Sequence, residues 1–530
     1  MIRTAGRRFI SRAIARKRRL VVPIVTPLQI EAFTMKSVPS GRVARRVLRR
    51  ALIVAVFACF SLVAASVSVA AARMPKIFGD NMVLQRDAQN AVWGWANPRE
   101  KVVVEVNGIQ KATVADEYGY WLAQMPPQPA GGPYEFNVRA SNSIKFKNVY
   151  FGEVWVCAGQ SNMTFPLKKE KEGSQESSTA RYPQLRVFTV PQRTADDPVN
   201  DVDSKWTLCS PETSRDYSAV AYYFGRLLHE KLQVPVGIIV AAADGSTCEA
   251  WTNPTALQKY PELASLLSKE RLAKTPDVQK VGALFHAMIS PIVPYSIKGV
   301  VWYQGESNAN RAWQYRTLFP LLISNWREEW GQGDFPFYFV QLPNFMARKP
   351  NPGNSAWAEL REAQHRATAE RNVAEVVAID LGDALDFHPK NKRAIGERLA
   401  NTALANSYGF DVMYTGPIFR SMTIKDSNAT LTFSEVDGSL KIADELDESE
   451  SDVVKRLRGF AIAGADRKFY WADAEIKKDV VVVSSPNVPQ PVAVRYAWAD
   501  NPDCNLTDES GVPASPFRTD EWAGVTLNAN

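Results

Sequence analysis

Apolar and polar positions follow three different patterns along the chain, and the first covers residues 73–150. Apolar and polar residues alternate in this region, which is typical of strands with one buried face. Turn residues such as Asn107-Gly108 separate the runs. The pattern predicts a small N-terminal β-sandwich with strands at Ala91–Trp95, Lys101–Val106 and Tyr134–Val138.

The second pattern covers residues 151–410, where short apolar runs alternate with amphipathic helical segments. This alternation predicts βαβ units and a parallel sheet with helices on both faces. Helices are expected at Ala219–Leu232 and Tyr315–Trp330. The expected strands are Val154–Cys157, Val236–Ala241, Gly299–Tyr303, Phe337–Gln341 and Val376–Ile379.

The third pattern, over residues 411–530, is again typical of β-structure. Thr430–Phe433 and Leu440–Ile442 flank Asp437-Gly438, which predicts a hairpin. Further strands are expected at Val480–Val483 and Val492–Tyr496. A chain of 530 residues is therefore divided into a leader and three domains.

Residues 1–72 have the anatomy of a leader. Arg42–Arg50 is rich in arginine, Ala51–Val69 is an apolar run that ends in small residues, and Ala70–Ala72 supplies a cleavage site. We expect a signal peptide cleaved after Ala72, with Met35 as an alternative start, and a secreted or periplasmic protein without stable membrane insertion. An uncleaved anchor is the alternative, which the small residues disfavour.

The positive charge of the chain is concentrated in this leader, which holds 14 Lys and Arg and one acid. The remaining residues include 49 basic and 55 acidic ones, a net charge of −6. Such a remainder gives no argument for nucleic-acid binding. Because 45% of the residues are apolar, the chain has enough material for large cores.

Four cysteines follow the leader: Cys157, Cys209, Cys248 and Cys504. Export permits disulfides, but four cysteines allow three complete pairings, and the spacing selects none of them. The absence of a C-x-x-C pair in the sequence disfavours a zinc cluster.

Ser161 is the most informative residue for chemistry. An apolar strand ends at Gly159, and the serine follows two residues later at the start of a turn. This places its hydroxyl at the carboxyl end of a sheet strand, where open α/β folds keep their active sites. A serine nucleophile needs a base, and histidine is the usual one.

Three of the four histidines have other expected roles. His229 lies within the amphipathic helix Ala219–Leu232, where a surface or packing role is expected. His365 lies in a charged helical pattern and is expected in solvent. His286 has apolar neighbours and is expected in the core or at the lining of a pocket.

His388 is the expected base. It follows Asp386 by two residues and precedes Pro389, in a loop after a predicted strand. Asp386 would accept the Nδ1 proton and leave Nε2 free to deprotonate Ser161. In the alternative, the aspartate caps the next helix, 394–405, and spacing does not decide between the two.

Two further loops offer donors for the oxyanion of an acyl-transfer transition state. Gly245 follows the Val236–Ala241 strand, and a glycine there lets backbone N–H groups approach the substrate. Gln304 and Asn308 follow the Gly299–Tyr303 strand with side-chain amides, and Glu306 between them adds a charge. Each loop alone is also explained as an ordinary turn.

Together these motifs resemble those of the sialate O-acetylesterase family, within the SGNH hydrolase superfamily. The resemblance rests on Gly159–Met163, Trp302–Ser307 and Asp386–Pro389, and segments of both flanking β-regions add to it. It implies a flavodoxin-like three-layer α/β/α catalytic domain and serine ester hydrolysis without metal or cofactor. Ser161 would be the nucleophile, His388 the base, and the Ser161 N–H, Gly245 and an amide from 304–308 the oxyanion site.

The resemblance leaves the acid behind His388 open. The superfamily usually has an aspartate three residues before the histidine, where this chain has Leu385. Related esterases suggest that the glutamate of the Gln-Gly-Glu motif takes this role. Asp386 is therefore ranked first and Glu306 second, and Gln304 is ranked ahead of Asn308 as the oxyanion donor.

The expected substrate is an acetylated sugar or polysaccharide, either an O-acetylated sialic acid or acetylated xylan or another polysaccharide. A sialic acid is anionic, and Arg311 and Arg361 are candidate ligands for its carboxylate. Exposed aromatic side chains stack on sugar rings, and three tryptophans are candidates: Trp251, Trp313 and Trp357. Core packing is the alternative and the commoner fate of tryptophan. The rivals are a hydrolase for another small ester and a non-catalytic carbohydrate-binding protein. The oligomeric state is not predicted.

Overall fold

The computed structural model describes residues 71–443 and 456–529. The expected signal peptide, up to residue 70, lies outside the described residues. No helix within them is both long enough and apolar enough to cross a membrane.

The N-terminal domain is a β-sandwich. One sheet pairs β2 with β5, and β4, β3, β6, β7 and β1 adjoin one another in the second. Alternate residues Val102, Val104 and Val106 are buried, as the pattern predicts. The strands are β1 (Val83–Gln85), β2 (Asn90–Trp95), β3 (Lys101–Val106), β4 (Ile109–Val114), β5 (Tyr120–Met125), β6 (Gly131–Arg139) and β7 (Ser143–Gly159).

Strand β7 joins this domain to the next one without a break. Its 17 residues begin in the sandwich and end in the middle of the central sheet. The expected boundary between residues 150 and 151 falls inside this strand. The strand that carries the serine at its end is therefore held by both domains.

The central sheet has the strand order β13-β12-β11-β7-β10-β8-β9. All neighbours are parallel except β9, which is antiparallel to β8. Apolar residues fill every position of β10 and β11, as expected for strands that are covered on both faces. The strands are β8 (Tyr182–Thr189), β9 (Trp206–Cys209), β10 (Val236–Ala242), β11 (Gly299–Tyr303), β12 (Phe337–Val340) and β13 (Val373–Val376).

Helices cover both faces of this sheet. Ala219–Leu232 and Lys392–Tyr408 share one apolar core, and Ala312–Trp330 and Ala356–Arg366 share the other. The expected three-layer α/β/α architecture is confirmed. The α-helices are α1 (Ser161–Thr164), α2 (Gly173–Thr179), α3 (Pro211–Ser214), α4 (Ala219–Leu232), α5 (Pro254–Leu257), α6 (Lys269–Lys274), α7 (Ala312–Trp330), α8 (Ala356–Arg366) and α9 (Lys392–Tyr408).

The C-terminal region is built of antiparallel sheets around its own core. One sheet has the order β14-β15-β20-β19, another β18-β17-β21-β23, and β16 pairs with β22. The strands are β14 (Ile418–Lys425), β15 (Asn428–Ser434), β16 (Lys441–Ile442), β17 (Phe460–Ala463), β18 (Phe469–Trp471), β19 (Asp473–Lys477), β20 (Val480–Ser484), β21 (Ala493–Tyr496), β22 (Leu506–Thr507) and β23 (Phe517–Arg518).

Two of the expected β-elements are wrong, one in the central sheet and one in the C-terminal region. The strand expected at Val376–Ile379 lies three residues earlier, at Val373–Val376. Val377 and Ile379 are apolar because they pack into the core of the C-terminal region instead. The hairpin expected around Asp437-Gly438 is absent from the described residues, because β15 pairs with β14 and β20 while β16 pairs with β22.

The four cysteines after the leader are free thiols. Cys157, Cys209 and Cys248 are buried, and Cys504 is partly exposed. None of the three pairings is formed among the described residues. The domains are therefore joined by non-covalent contacts, such as the ion pair between Arg518 and Glu362, and by the shared strand β7.

Candidate active site

Ser161 lies at the carboxyl edge of the central sheet, directly after β7. Gly159 has a φ of 141°, and a Cβ there would lie 2.1 Å from the Tyr303 carbonyl oxygen, so the close approach of β7 and β11 requires glycine. The serine then begins the short helix α1. Its side chain is half-buried, and its hydroxyl donates no hydrogen bond to a described residue. We call residues 159–164 the serine turn.

The loop of residues 380–389, called here the histidine loop, brings Asp386 against His388. Asp386 Oδ1 lies 3.2 Å from His388 Nδ1 and also accepts the backbone N–H of His388 at 2.9 Å. The following helix is capped by Asn391, whose side chain accepts the Ala394 N–H. The helix-capping alternative for Asp386 is therefore excluded, and the pair has the geometry of a base and its orienting acid.

The histidine loop is attached directly to the serine turn. Asn162 donates a hydrogen bond of 2.9 Å from Nδ2 to the Phe387 carbonyl oxygen. The rings of Phe165 and His388 lie 6.1 Å apart between centroids. The structure thus brings the expected nucleophile and base to one sheet edge, without a hydrogen bond between them, and such bonds are often formed only with substrate.

The surroundings of His388 favour its neutral form. Burial and the nearby Lys392 charge lower the pKa of His388, and the carboxylates of Asp386 and Asp244 oppose this shift. A neutral imidazole is what a general base requires.

Glu306 lies apart from this pair. Its Oε1 accepts a hydrogen bond of 2.6 Å from Asn162 Nδ2, and its Oε2 is buried without a hydrogen-bond partner among the residues that the structure describes. Burial raises the pKa of Glu306, while the hydrogen bond from Asn162 and the charge of Lys392 oppose this shift. Among the described residues Asp386, not Glu306, contacts the histidine.

Gly245 offers an open backbone position beside the serine. It follows β10, whose last residue Ala242 pairs with Gly159 at the end of β7. Gly245 has a φ of 68°, is exposed, and leaves free space where a Cβ would stand. Its N–H donates to none of the described residues. It is therefore free to donate to an oxyanion.

Gln304 and Asn308, by contrast, are engaged in internal hydrogen bonds. Gln304 Nε2 donates to the Ser246 carbonyl oxygen at 3.2 Å and to Asn308 Oδ1 at 2.7 Å, which uses both of its hydrogens. Asn308 Nδ2 donates to Glu249 Oε2 at 2.9 Å. Both amides are buried and hold the loop after β10 against the loop after β11. In this structure both side chains are bound to these internal partners.

The residues expected to bind sugar are mostly structural. Arg311 pairs with Glu249 at 2.6 Å, and the fully buried Arg361 donates to four backbone carbonyls. Trp251 and Trp357 are buried, whereas Trp313 is 41% exposed. Of these candidates Trp313 alone presents a substantial free surface.

The remaining histidines have structural partners. His229 Nδ1 contacts the Val234 carbonyl oxygen at 2.7 Å. His286 Nδ1 lies 3.3 Å from the Ala195 carbonyl oxygen. His365 is not simply solvated as expected, because its Nδ1 pairs with Glu375 Oε1 at 2.7 Å. The pairing with Glu375 raises the pKa of His365.

Sequence reasoning missed two residues that the structure places at the centre of the site. Asn162 and Lys392 are both fully buried, and Lys392 Nζ donates to Asn162 Oδ1. Burial lowers the pKa of Lys392 to about 7. The sequence contained one indication for Lys392. A lysine at the start of a helix is unfavourable because its charge opposes the helix dipole, which suggests a role other than helix stability.

Comparison with known proteins identifies the family. Residues 151–405 match the family model described as carbohydrate esterase, sialic acid-specific acetylesterase. Sialate O-acetylesterase of Mus musculus is 29% identical over 87% of this chain and 97% of its own length, and that of Homo sapiens is 28% identical over 86% and 94%.

A solved structure supports the same assignment. A carbohydrate acetylesterase from Xanthomonas citri is 36% identical, covers 85% of this chain and 100% of its own, and superposes with a TM-score of 0.77. At that identity and coverage the fold and the family are shared. The chain therefore belongs to the sialic acid-specific acetylesterase family of carbohydrate esterases, and it is a carboxylic ester hydrolase.

Proposed function

We propose that this protein is an exported serine esterase that removes O-acetyl groups from a carbohydrate. The observation that carries the proposal is the contact between Asp386 and His388 Nδ1, in a loop attached to the turn that bears Ser161. The names of the relatives supply the class of substrate.

The mechanism follows from these positions. Ser161 Oγ attacks the acetyl carbonyl carbon while His388 takes the hydroxyl proton, and the Gly245 and Ser161 N–H groups bind the oxyanion. The sugar oxygen leaves with the proton from His388 and an acetyl-serine remains. Water, deprotonated by His388, then attacks this ester, acetate leaves, and the serine recovers its proton.

Replacing the nucleophile tests this mechanism. Ser161→Ala removes the hydroxyl from a half-buried position, so the fold should persist. We expect acetate release from an acetyl ester to fall by at least about 10³-fold, measured with protein whose circular dichroism matches the wild type. Activity at the wild-type level would exclude a Ser161 mechanism.

A neutral polysaccharide is the second candidate substrate beside sialic acid. One observation favours it: Arg311 and Arg361, the arginines considered for a sialate carboxylate, are engaged in internal contacts. The relative of higher identity is named only as a carbohydrate acetylesterase. Measuring acetate release from 9-O-acetyl sialic acid, acetylated xylan and acetylated mannan under identical conditions distinguishes the two.

The composition of the leader supports export. The contacts of Ala72 are relevant to the position of the cleavage site. The backbone N–H and carbonyl of Ala72 both pair with the Asn142 side chain, at 2.8 and 3.1 Å. Cleavage after Ala72, as expected from the sequence, would remove these bonds, whereas cleavage after Ala70 would keep them. N-terminal sequencing of the exported protein decides between the two, and retention in the cytoplasm would overturn export.

A further inference from the structure

A buried cluster of Asn162, Glu306 and Lys392 lies beside the expected triad and has no role in it. We call it the Asn162 cluster. Each member comes from a different element: Asn162 from α1, Glu306 from the start of the 3-10 helix Glu306–Arg311 after β11, and Lys392 from the first position of α9. A cluster that joins three elements at the catalytic edge is placed to control their spacing.

Asn162 is the centre of this cluster because its side chain makes three contacts in three directions. Its two amide hydrogens go to Glu306 Oε1 at 2.6 Å and to the Phe387 carbonyl oxygen at 2.9 Å. Its Oδ1 accepts from Lys392 Nζ. The bond to Phe387 connects the serine turn to the backbone of the residue that precedes His388.

Lys392 supplies the donor for the oxygen end of this amide, while Glu306 and Phe387 accept from its nitrogen end. An ammonium group only donates, so Asn162 must turn its oxygen towards Lys392. Its nitrogen must then face the two oxygen acceptors, Glu306 and Phe387. A neutral amine still has donors for the same oxygen, so the contact survives deprotonation. Without Lys392 the buried Asn162 Oδ1 would lose this donor, and the side chain that connects the serine turn to the histidine loop would be held less firmly.

The position of Lys392 is costly for stability, which argues for a role in function. The side chain is fully buried at the N-terminal end of a helix, where a cation opposes the helix dipole. Its Nζ lies between the rings of Phe165 and Tyr303, at 5.1 and 5.3 Å from their centroids. Removing an ammonium group from water in this way costs stability.

From these contacts we propose that Lys392 is a positioning residue, which acts through Asn162 to hold the histidine loop at its working distance from Ser161. The inference rests on the serine mechanism proposed above but not on the identity of the sugar. Glu306, the second-ranked acid, belongs to the same device, since its contact is with Asn162 rather than with His388.

The charge of Lys392 adds an effect on the base. The charges of Lys392, Asp386 and Asp244 act on the pKa of His388, and those of Glu306, Asp386 and Glu170 act on the pKa of Lys392. The Lys392 charge lowers the pKa of His388, so removing it raises that pKa. The acid limb of activity should then move to higher pH.

The test compares Lys392→Met with its neighbour Lys390→Met in the full chain. Lys390 is exposed and lies two residues away, which makes it a matched control. The turnover of 4-nitrophenyl acetate is measured from about pH 5 to about pH 8. We expect Lys392→Met to lower kcat roughly 100-fold, as a displacement of about 1 Å in a catalytic site does. KM for this small ester should change little, and the acid limb should move upward.

Two further variants separate positioning from a general loss of structure. Lys392→Arg retains the charge and should retain the acid limb of the wild type. In the double variant Lys392→Met with Asn162→Ala, kcat should fall no further than in the more impaired single variant. Both substitutions break the same connection between the serine turn and the histidine loop. Lys390→Met should stay within about twofold of the wild type.

The outcomes that overturn the proposal are equally definite. The first is a Lys392→Met protein that folds and keeps the kcat and the acid limb of the wild type. The second is a double variant whose loss in kcat equals the product of the two single losses. Should Lys392→Met fail to fold, Asn162→Ala decides, since wild-type kcat in that variant removes the connection from the mechanism. Because the substrate is a simple acetyl ester, none of these results depends on which sugar the enzyme deacetylates.

Discussion

The two carboxylates near the expected base, Asp386 and Glu306, stand in opposite surroundings. Asp386 has a side chain 42% exposed and contacts the imidazole. Glu306 contacts Asn162 and has a buried oxygen that finds no hydrogen-bond partner within the described part of the chain. An exposed acid orients a base at little cost in stability. A buried acid must be compensated by its neighbours, so its role is to fix the parts around it.

The largest effect that tests this difference is expected from Asp386→Asn. The amide would favour the wrong tautomer of His388, so kcat should fall by roughly 10²–10⁴-fold. Because the side chain is partly exposed, the free energy of unfolding should change by no more than about 0.5 kcal/mol. Stopped-flow or steady-state kinetics and chemical denaturation measure the two quantities. Near wild-type kcat would remove Asp386 from the triad.

Glu306→Gln is expected to affect stability more, and kcat less, than Asp386→Asn does. The substitution leaves Lys392 and Asn162 without their charged partner, so the free energy of unfolding should fall by about 1–3 kcal/mol. The loss in kcat should be smaller than for Asp386→Asn, since the imidazole keeps its acid. Urea denaturation with parallel kinetics checks both. A larger kinetic loss than in Asp386→Asn would exchange the two roles.

The Asn162 cluster also makes stability depend on pH. Burial lowers the pKa of Lys392 to about 7 from its ordinary value of 10.5 in the unfolded chain. Between these values the unfolded chain binds more protons, so the free energy of unfolding should rise as the pH increases from about 7 to about 10. Lys392→Met should lose this component, visible as a smaller slope in denaturation curves across that range. Equal slopes in both proteins would contradict the lowered pKa.

The smallest effect is expected from Asp244→Asn. Asp244 is exposed, and its charge opposes the lowering of the pKa of His388 only weakly. Its removal should lower that pKa, so the acid limb should move to lower pH by a few tenths of a unit. The direction is opposite to that expected for Lys392→Met, which makes the two variants a matched pair. A shift in the same direction in both would show that the charges do not act on His388.

Much of the fold was predictable because the spacing of apolar residues along the chain shows which faces of helices and strands are buried. The helix Ala219–Leu232 and the strand Gly299–Tyr303 have the bounds that periodicity gives them. The expectation at Val376–Ile379 was wrong for a physical reason. An apolar run indicates that its residues are buried but not in which core they lie. Val377 and Ile379 pack into the core of the C-terminal region.

The site was predictable only in part. Ser161, Asp386 and His388 were expected together, and the structure places them along one edge of the sheet, although their roles stay predictions. The amides of Gln304 and Asn308 were expected to face the oxyanion and are instead bound to internal partners. Residue type shows that a donor exists, while only the packing around it shows whether the donor is free.

By itself the sequence determined the layered α/β/α domain, the flanking β-regions and the family, since these depend on local pattern and on motifs at fixed spacing. Tertiary structure alone decided which acid contacts His388 and brought Lys392 to Asn162, 230 residues away along the chain. These contacts depend on how the ends of separate strands meet at the sheet edge. Their chemistry follows from burial, which no single stretch of sequence specifies.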